Sequence, residues 1–231
     1  LLNQLQEHVR IGAIKDCLFK CGVVSLDDGQ YYALGQHEFT SDADFQNAIL
    51  ASSAMPIVWR PVESINTVKR KIFNAVDGGI RNVSPLGDVI EEINRDTSGA
   101  EYTIVIINCH NGLIKHKPFD QANIGQIALR ALTEITLAEI FNNDLKEFLR
   151  INDLVEQVET AQPGLQLFNY KFPEMTRTDT PLKAFNTILI QPGDGVLGDT
   201  LDANGKLLKT RLAHGEQAVS LALEELAVEM S

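Results

Sequence analysis

The sequence predicts an α/β fold with a mixed, mostly parallel central sheet flanked by helices. Residues 101–108 form a β-branched run with almost no alternation between apolar and polar positions, as expected of a central strand buried on both faces. Short strand-like segments also alternate with amphipathic helical segments along the chain. The 231 residues, 44% hydrophobic and 22% charged, suit one large globular α/β unit.

The first elements are predicted to be a β-hairpin and a helix. Residues 9–24 are apolar and strand-like, and the Asp-Asp-Gly sequence at 27–29 supplies a turn into a second strand at 30–34. Ser41 is expected to cap a helix over residues 42–50, because a serine oxygen can accept a free backbone N–H of the first turn.

The following segments predict two short strands and a helix. Residues 57–62 and 71–76 have strand character and flank a polar connection. Ser84 and Pro85 open an amphipathic helix that continues through Ile93, with serine as the cap and proline in the first turn.

The second half is predicted to be mainly helical. Apolar residues recur at helical spacing over 121–151, although the Asn-Asn-Asp sequence at 142–144 offers a break, and a short helical piece follows at 152–160. Residues 163–181 are predicted to be rich in loops, residues 187–190 a strand and residues 213–230 a closing helix.

Charge and cysteine content exclude several classes of protein. A formal charge of −11 repels phosphate backbones, so nucleic acid is excluded as a partner, and no apolar run is long enough to span a membrane. Three cysteines do not form the disulfide framework of a small secreted domain, which favours a reducing, cytoplasmic location. The first residues have no signal-peptide character, and the chain is expected to begin inside a larger protein.

Three motif elements occur in a fixed order between residues 51 and 82. They are Ala-Ser-Ser-Ala-Met-Pro at 51–56, Trp-Arg-Pro-Val at 59–62, and Asp-Gly-Gly at 77–79 with a nearby Asn82. Their order resembles the C-terminal half of the patatin-like phospholipase domain, and residues 84–90 and 102–108 look like the helix and strand that follow in that family.

This resemblance implies a lipid acyl hydrolase that uses a Ser-Asp dyad, within a patatin-like three-layer α/β/α fold. In such a dyad an aspartate takes the proton of the serine hydroxyl during attack on an ester carbonyl and returns it to the leaving alcohol. Asp77 matches the catalytic aspartate of the family. The implied substrate is a lipid or phospholipid, and the dyad requires neither a metal nor an organic cofactor. The two glycines after Asp77 are expected to allow a sharp turn that leaves its carboxylate facing a cleft.

The chain departs from the family in one respect. A Gly-x-Ser-x-Gly elbow, which would expose the nucleophilic serine, is absent from the sequence, and so is the glycine-rich oxyanion loop. We therefore expect residues 1–120 to be the C-terminal part of the hydrolase domain, residues 121–231 to be a helical extension packed on it, and the N-terminal half to be missing. The fragment alone is expected to be inactive. A catalytically inactive patatin-like binding or regulatory module is the alternative, and lipid class, acyl position and oligomeric state stay open.

Other candidate residues have simpler interpretations. Ser52 and Ser53 lack a glycine elbow, and Ser25 is interpreted as a polar residue at a strand end. Cys109 and His110 could face a cleft at the end of a strand, although loop packing is the more common role. The Gly and Asp residues of 193–199 lack the ligand spacing of an EF-hand loop, and turn chemistry explains them.

Overall fold

The computed structural model describes a mixed α/β protein with small sheets. The described residues are 2–109, 113–114, 116, 118–171, 174–193, 196–197 and 204–229. They form two compact units, each made of two stretches of chain. Unit 1 comprises Leu1–Val89 and His116–Leu145, and unit 2 comprises Ile90–Lys115 and Lys146–Ser231. Strands distant in sequence pair within unit 2. The division at residue 120 stays a prediction.

A four-stranded antiparallel sheet forms the centre of unit 1. Its strands are β1 (Lys20–Ser25), β2 (Tyr31–Gly35), β3 (Val62–Asn66) and β4 (Lys71–Asp77), in the order β2-β1-β4-β3. The predicted hairpin is confirmed, but its first strand begins at Lys20 rather than at residue 9, and Ile11–Ala13 form a 3-10 turn. The hairpin turn places Gly29 at a φ of +68°, which glycine adopts without strain.

Helix α2 (Asp42–Ser52) packs on this sheet after the short helix α1 (Leu2–His8). The predicted cap is confirmed, since the Ser41 side chain accepts the Asp44 backbone N–H at 3.2 Å. The apolar face of α2 meets the sheet in a core whose members are almost fully shielded from solvent. These core residues are Val23, Leu34, Phe39, Phe45, Ala48, Ala51, Ile65, Ile72 and Ala75.

The strand predicted at residues 57–62 was wrong for most of its length. The chain turns after Pro56, and β3 begins only at Val62. Ile57 has a φ of +74°, a left-handed conformation that is rare for a β-branched residue and incompatible with an extended strand.

The predicted helices at 84–93 and 121–151 are confirmed, with shifted bounds. They are α3 (Leu86–Arg95), α4 (Ile124–Arg130) and α5 (Leu137–Ala161), with a π-helical segment at Ala131–Thr136 between the last two. The Asn-Asn-Asp sequence at 142–144 does not break α5, which also includes the separate piece predicted at 152–160.

Unit 2 contains two small sheets and the last helix. Strands β5 (Thr103–Ile107) and β8 (Asn186–Ile190) pair in parallel, and β6 (Phe168–Lys171) pairs antiparallel with β7 (Thr176–Pro181) in a region predicted to be loop. Helix α6 is Gly205–Glu229. Asn152 is buried, and its amide donates to the Phe185 carbonyl at 3.0 Å and to the Thr187 hydroxyl at 3.2 Å.

The sheets differ from the sequence prediction in direction and burial. Among the described strands, only the β5–β8 pair is parallel, so a mostly parallel sheet is not confirmed. Strand β5 is also not buried on both faces, because Ile104 and Ile106 are buried while Val105 and Ile107 are exposed. Of the described helices, none combines the length and apolar character needed to span a membrane.

Candidate functional site

Asp77 lies where strand β4 ends and a short 3-10 turn, Gly78–Ile80, begins. It faces Val23 of β1 in the antiparallel register. Its backbone N–H donates to the Ala54 carbonyl at 3.1 Å. Ala54 is itself buried, just after helix α2. The structure thus joins the first and last of the three motif elements through one main-chain hydrogen bond.

The Asp77 carboxyl group is half-buried and has one hydrogen-bond donor nearby. Its Oδ1 accepts the Gly79 backbone N–H at 2.8 Å, which fixes the direction of the carboxylate. Burial raises the pKa of Asp77 because it disfavours the charged form, and the Gly79 N–H opposes this effect by stabilising the anion. A carboxylate with a raised pKa is a stronger base, as a group that takes a hydroxyl proton requires.

Gly78 is needed for close approach of two backbones. A Cβ atom at this position would lie 2.5 Å from the Gly22 carbonyl carbon and 2.6 Å from the Gly22 oxygen, both of which belong to the main chain of β1. Neither Gly78 nor Gly79 adopts a positive φ. The chain turns at these glycines as expected, but Gly78 is required by its direct contact with the neighbouring strand rather than by its backbone conformation.

A second polar group lies beside this contact. The Tyr31 hydroxyl donates to Asp88 Oδ2 at 2.7 Å, and Asn82 Nδ2 approaches the same oxygen at 3.5 Å. Tyr31 belongs to β2, Asp88 to α3 and Asn82 to the segment after Asp77. Burial, followed by the hydrogen bond to Asp88, raises the pKa of Tyr31, so its hydroxyl stays protonated and remains a donor.

An exposed turn at residues 56–59 leads into the middle motif element, whose last residue, Val62, begins β3. Ile57 and Trp59 retain 54% and 63% of their accessible surface, and the Trp59 N–H donates to the Met55 carbonyl at 3.0 Å. The turn comes shortly after Ala54, whose carbonyl accepts the Asp77 N–H. Its apolar side chains are therefore close in sequence to the residue that holds Asp77.

The serines weighed as local nucleophiles have other roles or positions. Ser53 is exposed at the end of α2, and its hydroxyl lies 3.0 Å from the Leu50 carbonyl and 3.3 Å from the Ile49 carbonyl. Ser25 is buried, and its hydroxyl donates to the Phe73 carbonyl at 3.0 Å. Ser52 is the last residue of α2, with no glycine beside it. The structure gives no hydrogen bond from Ser25 or Ser53 to Asp77.

The remaining candidates contribute no further chemistry to the described part of the chain. Cys17 and Cys109 are exposed, whereas burial raises the pKa of the Cys21 thiol to about 12 and leaves it unreactive. His110, Asp194, Gly195, Gly198 and Asp199 lie outside the described residues. No group of three or more His, Cys, Asp or Glu side chains with metal-binding geometry occurs among the residues that are described.

Sequence reasoning predicted Asp77 as a site residue but did not predict the residues packed around it. The one available indication was Gly22, since a glycine inside an apolar strand often marks close approach of another backbone. Tyr31 and Asp88 are 57 residues apart, and no local pattern connects them.

Comparison with known proteins adds no relative to this description. No protein-family model matches the chain, and neither the curated proteins nor the solved structures contain a match. The resemblance to the patatin-like family therefore stays a prediction that rests on the residues themselves.

Proposed function

We propose that this chain carries the catalytic aspartate of a patatin-like lipid acyl hydrolase. Asp77 is the general base of a Ser-Asp dyad, and the nucleophilic serine and oxyanion loop belong to a part of the domain that precedes these residues. The substrate is an ester of a phospholipid or related lipid. The protein acts on it from a cytoplasmic location, and nucleic acid is not a partner.

The hydrogen bond between Asp77 and Ala54 is the observation that best supports this proposal. The two residues belong to motif elements 23 positions apart, yet the Asp77 N–H lies 3.1 Å from the Ala54 carbonyl oxygen. Two motif elements that form one local structure are better evidence for a shared role than an isolated Asp-Gly-Gly turn. The half-buried carboxylate, with its pKa raised by burial, has the basicity that the role needs.

The proposed reaction uses this carboxylate twice. Asp77 takes the proton of the serine hydroxyl as the serine oxygen attacks the ester carbonyl carbon, and the alcohol then leaves with that proton. In the second half, Asp77 takes a proton from water as the water oxygen attacks the acyl-serine carbonyl carbon. Asp77 then returns that proton to the serine oxygen as the bond to the acyl group breaks and the fatty acid leaves. The Gly79 N–H keeps Oδ1 in a fixed direction throughout, which leaves Oδ2 to accept the proton. Every step balances without a metal or an organic cofactor.

The proposal includes a finer view of the fold. The antiparallel sheet of unit 1 and the parallel pair of unit 2 are taken as portions of a patatin-like three-layer α/β/α domain. The missing N-terminal half supplies its other strands. In this view residues 1–120 are the C-terminal part of the hydrolase domain, and residues 121–231 are its helical extension.

A catalytically inactive module is the second candidate. It is favoured by the absence of a Gly-x-Ser-x-Gly sequence anywhere in the 231 residues. If the preceding part of the protein also lacks an intact elbow, the same scaffold would bind lipid without cleaving it. The two candidates differ only in the nucleophile, since both retain the surroundings of Asp77.

The decisive experiment measures ester hydrolysis by a longer version of the protein that includes the preceding sequence. Wild type is compared with Asp77→Asn, using a chromogenic fatty-acid ester. We expect Asp77→Asn to lower kcat by at least about 10³-fold, because the amide cannot accept the serine proton. Asp27→Asn is the matched control. Asp27 is an exposed partner of Asn74 in the hairpin turn, and its replacement should leave kcat unchanged.

The outcomes separate the two candidates. Full activity in Asp77→Asn would refute the assignment of the general base. Lipid binding without hydrolysis by the wild-type protein would favour the inactive module.

A further inference from the structure

We propose that Tyr31 and Asp88 are a positioning pair that holds the Asp77 turn in place from two sides, through Gly22 and through Asn82. This inference rests on the proposed function, because it assigns the pair to the alignment of the catalytic carboxylate. Neither residue belongs to the three motif elements from which Asp77 was predicted.

The first side is a stack of three residues. The Tyr31 ring lies directly over Gly22, where a Cβ atom would come within 2.7 Å of ring carbon Cε2 and of the hydroxyl oxygen. The Gly22 main chain in turn lies so close to Gly78 that a Cβ on Gly78 would be 2.5 Å from the Gly22 carbonyl carbon. The ring therefore presses on strand β1 at the point where β1 touches the residue after Asp77. A shift of the Tyr31 ring would therefore displace Gly22 and Gly78, and with them the Asp77 carboxylate.

The second side runs through hydrogen bonds. Asp88 Oδ2 accepts the Tyr31 hydroxyl at 2.7 Å and lies 3.5 Å from Asn82 Nδ2. The Asn82 backbone N–H then donates to the Gly78 carbonyl at 3.0 Å. Asp88 thus links β2 to the segment that leaves the Asp77 turn, and the two sides form a closed ring of contacts around Gly78.

A closed ring of this kind suits the needs of a general base. A catalytic group must be held within about 0.5 Å of its productive position, which requires neighbours whose own conformations are fixed. The Tyr31 side chain is fixed at the ring by Gly22 and at the hydroxyl by Asp88. The closed ring of contacts surrounds Gly78, and the next residue, Gly79, donates the N–H that holds Asp77 Oδ1.

The next residue along β2 provides a natural comparison. The Tyr32 hydroxyl also donates to an aspartate, Asp28 Oδ2, at 2.6 Å. That bond is exposed and lies in the hairpin turn, where its partner is four residues away. Tyr31 and Tyr32 point to opposite faces of the strand, so the same substitution at each tests one face against the other.

The experiment uses this chain and two NMR measurements. One follows the titration of the Asp77 carboxyl carbon, and the other follows hydrogen exchange of the Gly79 amide. Tyr31→Phe keeps the aromatic ring but loses the hydroxyl and its hydrogen bond to Asp88. We expect about tenfold faster hydrogen exchange at the Gly79 amide, since this bond is part of the contacts around Gly78. We also expect the Asp77 pKa to fall toward its ordinary value as water gains access. Tyr32→Phe should change neither quantity.

Variants of Asp88 complete the test. Asp88→Ala removes the contact with Asn82 as well, so its effect should be at least that of Tyr31→Phe, and the double variant should show no more change than Asp88→Ala alone, since the two residues share one hydrogen bond. Asp88→Asn keeps an oxygen acceptor for Tyr31 and should restore most of the protection at Gly79. A merely structural role would lower overall stability without changing the native-state titration of Asp77.

The proposal is overturned if Asp77 titrates and Gly79 exchanges as in wild type when Tyr31 and Asp88 are replaced, or if Tyr32→Phe has an equal effect. These readouts do not depend on ester hydrolysis. An inactive full-length protein in which Tyr31→Phe still changed the Asp77 titration would refute the proposed function and leave the positioning pair intact.

Discussion

Strands β4 and β5 are both short apolar strands followed closely by polar side chains, but their surroundings differ. Strand β4 has a partner on each edge, and its residues Ile72, Ala75 and Val76 are buried. Within the described residues β5 pairs with β8 alone, and Val105 and Ile107 keep 50% and 69% of their surface exposed. Phe73 of β4 also keeps 46% of its surface exposed, so the clear difference between the two strands is the number of strands with which each pairs.

The polar residues at the two strand ends differ in the same way. Asp77 donates its N–H to Ala54 and accepts the Gly79 N–H. Asn108, the residue after β5, has a side-chain nitrogen that is shielded from solvent and makes no hydrogen bond to any described residue. The comparison shows that a polar side chain at a strand end is held in one direction where neighbouring backbone groups hydrogen-bond to it. An apolar strand alone does not orient the polar residue that follows it.

The largest expected effect compares a core residue of unit 1 with an exposed residue of β5. Phe45 is 1% exposed and contacts the rings of Phe19 and Phe39 at centroid distances of 5.5 Å. Phe45→Ala should lower the free energy of unfolding by about 3–5 kcal/mol, through lost burial and the cavity left behind. Ile107→Ala should change it by less than about 0.5 kcal/mol. Urea denaturation measures both, and equal losses would remove the contrast between the core of unit 1, to which Phe45 of helix α2 belongs, and the exposed face of β5.

The next effect concerns the backbone contact beside Asp77. Gly78→Ala places a Cβ 2.5 Å from the Gly22 carbonyl carbon, so strands β1 and β4 must separate. We expect a loss of about 2–3 kcal/mol. Gly87→Ala is the matched control, because a Cβ there meets no atom within 4 Å and the residue lies in helix α3. That control should stabilise the protein by up to about 1 kcal/mol. A Gly78→Ala protein as stable as wild type would show that the two backbones are not in contact.

The smallest effect is a pH dependence at Asp77. Since burial raises the pKa of this carboxyl in the folded protein, the folded state holds the proton more tightly than the unfolded state does. Stability contributed by this group is therefore complete below the ordinary pKa and falls as the pH rises through the raised value. Asp77→Asn removes this loss, so its stability relative to wild type should increase between acidic and neutral pH.

The increase should be below about 1 kcal/mol, because solvent still reaches the carboxyl group. Thermal unfolding of both proteins across that pH range measures it. A stability difference that stays constant with pH would contradict the raised pKa.

Local chemistry made part of this fold predictable from the sequence. The hairpin turn at 27–29 and the Ser41 cap depend on neighbouring residues only, and both occur as predicted. Asp77 was identified through motif spacing, and its position at a strand end is as the Asp-Gly-Gly sequence suggested. These features require no knowledge of distant partners.

Tertiary contacts determined what the sequence did not reveal. The apolar residues 57–62 fit a strand by composition, yet Ile57 adopts a left-handed turn. The exposed face of β5 depends on which strands are present beside it, and the role of Gly78 depends on Gly22, which is 56 positions earlier in the sequence. The bond between Tyr31 and Asp88 joins a strand and a helix and leaves no trace in local spacing.

Trp59 is the single tryptophan of the chain, and it lies in the exposed turn that follows Ala54. Its intrinsic fluorescence therefore reports on one place only, five residues from the main-chain partner of Asp77. With 63% of its surface exposed, the indole should emit at the long wavelengths typical of water and be quenched readily by iodide or acrylamide. Any molecule that covers this turn would shift that emission to shorter wavelength, so the protein carries an unlabelled optical reporter beside its candidate site.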